Sequence, residues 1–147
     1  MSKVDHPSEA VASFHQGFSC SQAVFSVFAA EMGLDRETAL KLSQAFGGGM
    51  AHLGEACGAL TGAFLALSLK HGRTRAEDLA ARDRTYARMQ ELAARFKARF
   101  GALHCPELLG LDIGTEEGLR RAREGDLFRK RCDEFVRTAA EWVEDLL

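Results

Sequence analysis

From Glu55 to His71 the sequence is almost entirely small or apolar, with Leu60, Ala63, Phe64, Leu67 and Leu69 among its side chains. A helix without a polar face must be enclosed by other elements, so 55–71 is the expected central helix of the fold.

Around it the chain reads as further helices. Only two prolines occur, Pro7 and Pro106, and glycines fall where apolar periodicity stops, the punctuation of helices joined by short turns. A first helix is expected after Pro7 to about His15, ended by Gly17. A second starts near Ser19, a good N-cap, and carries Ala23, Val24, Val27 and Phe28 before Gly33 stops it. Asp35 caps a third, in which Leu42, Ala45 and Phe46 continue the apolar pattern up to a flexible turn at Gly47-Gly48-Gly49. The longest runs from about Arg75 to Phe100, with Leu79, Tyr86, Met89, Ala93, Phe96 and Phe100 as its inner stripe. The last presents Phe135, Val136, Ala139, Trp142, Val143 and Leu146 to the core. The expected fold class is all-α: a compact single-domain helical bundle of about five to seven helices over 1–147.

With 19 Lys and Arg against 21 Asp and Glu, the net charge of −2 supplies no broad positive field for nucleic acid or an anionic membrane. No stretch approaches the roughly 18 to 20 apolar residues of a membrane span, and the N-terminus has no apolar leader core. A cytoplasmic protein with no membrane insertion is expected. In that compartment thiols stay reduced, so two static disulfides are a poor default for the four cysteines.

Those cysteines, Cys20, Cys57, Cys105 and Cys132, each fall at or just before an expected helix start. Cys20 follows Ser19, Cys57 enters the central helix, Cys105 precedes Pro106 and Glu107, and Cys132 precedes Asp133 and Glu134. A helix N-terminus stabilises a thiolate over a thiol and lowers its pKa below the free value of about 8.5. Four such thiols meeting at one point would suit a positively charged cluster or a pair of exchanging dithiols. Successive separations of 37, 48 and 27 residues argue against zinc, whose Cys₄ sites draw ligands as close pairs from short knuckles. One ligand per element is compatible with an iron–sulfur cluster. The bland alternative is four small buried hydrophobes.

The residues Cys20-Ser21-Gln22-Ala23-Val24, Phe46-Gly47-Gly48-Gly49-Met50 and Glu55-Ala56-Cys57-Gly58-Ala59-Leu60-Thr61-Gly62, with Cys105 and Cys132 following in order, resemble the C_GCAxxG_C_C family, which is named for redox activity. The resemblance covers nearly the whole chain, with one departure: Ala56 precedes Cys57 where the family name writes Gly. It implies redox activity through the cysteines. A related domain in certain multi-cofactor cytochromes is held to carry an iron–sulfur centre.

Other features favour plainer readings. Gly58, Gly62 and Ala66 fall four apart on one helix face, as close helix packing requires, although a cofactor could use the same room. His52 and His104 lie near Cys57 and Cys105 and could replace a sulfur ligand or assist a thiol, but surface or capping histidines are commoner. Arg82, Arg88, Arg95 and Arg99 mark a solvated face that could also dock an acidic redox partner. No Ser-His-Asp order, carboxylate pair or nucleotide fingerprint supports a hydrolase or dehydrogenase.

The leading expectation is an iron–sulfur cluster held by Cys20, Cys57, Cys105 and Cys132, in an electron carrier, oxidoreductase or redox accessory that meets a redox partner protein. Two alternatives stand beside it. One is cofactor-free thiol–disulfide chemistry using Cys57 and Cys20, or a redox sensor of that kind. The other is a structural or interaction module with passive cysteines.

Overall fold

A computed structural model describes residues 3–147; Met1 and Ser2, the first residues of the expected domain, lie outside the described residues. Those residues form eight right-handed α-helices and no strand: α1 His6–His15, α2 Cys20–Ala29, α3 Arg36–Ser43, α4 Gly58–His71, α5 Leu79–Phe100, α6 Cys105–Leu109, α7 Glu116–Glu124 and α8 Leu127–Leu146. The all-α class is the one the sequence predicts. The count exceeds the expected range by one because α6 and α7, of 5 and 9 residues, are too short to show clear periodicity in the glycine-rich stretch after Gly101.

Local chemistry explains most boundaries. Ser19 and Gln22 form a capping box: the Ser19 N–H donates to Gln22 Oε1 at 3.0 Å and the Gln22 N–H to Ser19 Oγ at 3.4 Å. Asp5, Asp35, Asp78 and Thr115 each accept a first-turn N–H at the starts of α1, α3, α5 and α7.

The apolar helix α4 is central, as its composition requires: it packs against α2, α5 and α8. Leu60, Ala63, Ala66 and Leu67 are fully buried there, facing Val24 and Phe28 of α2, Leu92 and Phe96 of α5, and Val136 and Val143 of α8 within one core. Gly62 has Ser21 backbone atoms so near that an added Cβ would sit 2.7 Å from the Ser21 oxygen. The small-residue face therefore brings α4 and α2 into close approach. Phe96, Phe100, Phe135 and Trp142 form an aromatic cluster between α5 and α8, with edge-to-face contacts at 4.8 Å centroid separation.

Two expected stripes need correction. Leu42 is 55% exposed, and on α5 Leu79 and Tyr86 are 50% and 57% exposed. The inner line of α5 runs through Ala81, Thr85, Leu92 and Phe96, which leaves Tyr86 beyond its edge and Leu79 at the solvent-facing first turn.

The N-terminal helix is locked to the last one. His6, only 7% exposed, is hydrogen-bonded through Nε2 to Glu31 at 2.9 Å and through Nδ1 to Glu144 at 3.1 Å, and it stacks on Phe28 at 4.3 Å.

Candidate functional site

Three cysteines stand where helices begin. Cys20 is the first residue of α2, Cys57 is the N-cap of α4 and Cys105 opens α6. Cys132 does not follow the expectation: it lies inside α8, whose first residue is Leu127. The acids Asp133 and Glu134 that suggested a start there are interior helical residues. Asp126, with φ of +51°, provides the break before α8 instead. The position brings Cys132 onto the same face as Phe128 and Phe135, four residues before and three after it.

Backbone pairing brings Cys57 and Cys105 together. Ala56 and His104 form an isolated antiparallel bridge, flanked by hydrogen bonds from the Cys57 N–H to the Leu103 oxygen at 2.8 Å and from the Cys105 N–H to the Glu55 oxygen at 2.9 Å. Alternation about that bridge puts both cysteine side chains on one side, as diagonal neighbours.

The loop before Cys57 is no flexible turn. Gly48, Gly49, Met50, Ala51 and His52 all have positive φ, so five consecutive residues wind through the left-handed region, three of them with side chains. Left-handed backbone costs about 1–2 kcal/mol per non-glycine residue, so this turn is held by its surroundings. The Glu55 N–H donates to the Gly49 oxygen at 2.9 Å, and Gly49 packs on the Cys105 side chain, where a Cβ would approach Cys105 Cβ to 2.8 Å. The turn carries the His52 ring over Gly48 and sets it 6.5 Å from Phe128.

All four cysteines are buried, unpaired as disulfides, and line a single cavity of about 250 Å³. His52, Gly48, Gly58 and Ser19 share that wall. An apolar side is completed by Phe14, Leu108, Leu109, Leu119, Phe128 and Phe135, with Arg123 at the edge. Of the two histidines noted in sequence, His52 reaches the cavity, whereas His104 is an exposed N-cap of α6 outside the lining. The apolar wall left no signal in the sequence, because its residues come from four separate helices with ordinary core spacing.

Burial governs the thiols. Cys20, Cys57, Cys105 and Cys132 are all pushed up from the ordinary thiol range, chiefly because desolvation disfavours the thiolate; Cys105 reaches about 12. The next cause for Cys57, Cys105 and Cys132 is the charge of Cys20, so the thiolates oppose one another across the cavity. Backbone N–H groups act in the opposite sense, from Gly48 of the left-handed turn and Ser21 and Gly58 of helix starts at Cys20, and from Ala59 and Leu60 at Cys57. They are outweighed. At Cys57 the partial charge of a helix end is thus smaller than the cost of burying a whole charge, and the thiol form is favoured.

A single tetrahedral ion bound at about 2.3 Å needs sulfurs only about 3.8 Å apart. Among the described residues, no group of three or more His, Cys, Asp or Glu side chains is arranged to hold one metal ion. The four sulfurs share a cavity without closing on one point. An all-thiol donor set with one ligand from each of four elements is compatible with the bond chemistry of a polynuclear cluster. The same residues would pay the deprotonation cost on binding, since a coordinated thiol loses its proton outright.

Among the described residues, no helix is long and apolar enough to cross a membrane. A family model described as "Putative redox-active protein (C_GCAxxG_C_C)" matches residues 18–146. No curated protein and no solved structure matches the chain.

Proposed function

We propose, from the premise that this chain belongs to the C_GCAxxG_C_C family, that it is a redox-active protein whose Cys20, Cys57, Cys105 and Cys132 hold an iron–sulfur cluster for electron transfer to a protein partner. When bound, such a cluster supplies one-electron chemistry at a potential set by burial and by hydrogen bonds to its sulfurs.

The observation that carries this reading is that four buried, unpaired thiols from four helices line one cavity. The chain's own groups suit the role. Amide N–H groups of Ser21, Gly48 and Gly58 face Cys20, and those of Ala59 and Leu60 face Cys57, where they favour anionic sulfur. Gly58 leaves room beside the Cys20 sulfur that any side chain would fill. Leu108, Leu109, Phe128 and Phe135 limit water at the site. Reduced thiols of this kind suit the cytoplasm. The raised thiol pKa values weigh against cofactor-free exchange, which depends on available thiolate.

Anaerobic reconstitution with ferrous iron and sulfide tests the reading. Stoichiometric iron and acid-labile sulfide, a charge-transfer band in the visible and their loss in Cys→Ala variants are expected. A colourless product holding no more iron than the variant lacking all four cysteines overturns it.

A further inference from the structure

The cavity reaches the surface at one corner. Its cysteines are buried, Phe14 and Phe128 are half-buried, and Arg123 is exposed. A surface groove next to it is lined by Phe14, Phe128 and Arg129 among others, so the two share the Phe14 and Phe128 rings. Arg123 near the end of α7 and Arg129 at the start of α8 thus flank Phe128 over the way to the thiols.

This corner is charged differently from the rest of the chain. Residues 120–131 carry six Arg and Lys against two acids, in a protein of net charge −2. Among the described residues, Arg121, Arg123, Arg129 and Lys130 form no ion pair, whereas Arg120 is held by Glu117 and Glu124. On α5, Arg82 pairs with Asp83, Arg95 with Glu91 and Asp145, and Arg99 with Glu134, whereas Arg84 and Lys97 are exposed without an ion pair among the described residues. Arg88 donates to the Leu146 carbonyl. The α5 face keeps free cations of its own, but none of its residues lines the cavity, whereas Arg123 and Phe128 do.

We propose that the α7–α8 corner is the docking surface for an acidic electron-carrier protein, with Arg123 and Arg129 meeting its carboxylates and Phe128 seated at the centre. Unpaired exposed cations steer an oppositely charged partner and fix its orientation, and a central aromatic ring supplies the desolvated contact. The surface lies over the thiols, where an exchanged electron has the least protein to cross. The proposal rests on the electron-transfer reading above for its purpose: one electron leaves the partner's reduced centre and one is gained here, with no bond made or broken.

The test uses reduced plant-type ferredoxin, an acidic one-electron carrier, as the probe. Amide chemical shifts of the full chain are followed on titration with ferredoxin, and stopped-flow absorbance follows electron transfer to the reconstituted protein. R123E/R129E is compared with R84E/K97E, an equal charge change at exposed positions of α5. Shifts centred on Arg123, Phe128 and Arg129 are expected, with a rate about tenfold lower in R123E/R129E at low salt and little changed in the α5 variant. Equal losses in both variants, shifts centred elsewhere or no ferredoxin binding overturn the proposal. So do shifts that follow the concentration of this chain alone, which would assign the corner to self-association. Shifts at the corner in a protein that takes up no cluster would sink electron transfer and leave docking standing. Unchanged rates in a cluster-loaded R123E/R129E would do the reverse.

Discussion

Gly58 lies against the sulfur of Cys20 so closely that a methyl group on its Cα would overlap Sγ. The same methyl would come within 2.9 Å of Gly47 Cα, so neither backbone nor thiol can give way freely. Gly58→Ala is expected to destabilise the fold by about 1–3 kcal/mol, because overpacking exceeds the gain in helix propensity of about 1 kcal/mol. Gly62→Ala, which meets Ser21 backbone instead, is expected to cost a similar amount while leaving Cys20 untouched. Urea unfolding gives both costs, and the alkylation rate of Cys20 is expected to change only in Gly58→Ala.

Raised thiol pKa values give protein prepared without added metal a defined response to base. Below the unfolded thiol pKa of about 8.5 both states are protonated and the full stability is present. Above it the unfolded chain releases protons that the native cavity still holds, so stability falls as pH rises, through about 12 for Cys105. Chemical denaturation between pH 7 and 10 is expected to show this decline, together with slow alkylation of all four cysteines at neutral pH. The variant with all four cysteines replaced by alanine is expected to lose the decline. A native thiol reacting faster than a free one at pH 7 would contradict the burial argument.

Ala51 sits at φ of +55° within the left-handed turn. Ala51→Gly removes the steric penalty at that position, offset in part by the greater freedom of glycine in the unfolded chain. A net gain of about 1 kcal/mol is expected, read as a higher urea midpoint with an unchanged slope.

His6 joins α1 to the Ala30–Met32 turn and to α8 through two carboxylates. His6→Phe retains a ring against Phe28 but loses both hydrogen bonds, at an expected cost of about 1–3 kcal/mol. His6→Ala also leaves a void and is expected to cost more. Thermal unfolding of the two variants separates stacking from hydrogen bonding.

The sequence made the helices readable because their signals are local: the caps Ser19, Asp35 and Gly33, and an α4 with no polar face. It also marked the four cysteines, whose order matches the family pattern. What it did not carry was how they meet. The bridge between Ala56 and His104 joins backbone groups, which leave no trace in side-chain identity. Two acids after Cys132 imitate a helix start, and only the left-handed Asp126 shows that α8 begins earlier. The turn at Gly48–His52 was equally hidden, since Met50 and Ala51 disfavour the conformation that packing imposes on them. Burial of the thiols, which reverses the effect of helix ends on their pKa, depends on the apolar wall from α1, α6, α7 and α8.

The pairing of Ala56 with His104 also fixes when in the life of the molecule the cavity can exist. It closes across 48 residues from Cys57 to Cys105, and the last thiol arrives only with α8. At synthesis rates of about 5–20 residues per second, Cys20 leaves the ribosome roughly 6 to 22 s before Cys132. Throughout that interval the early thiols lack the partners that bury them, so the four-thiol cavity can close only once α8 has been made.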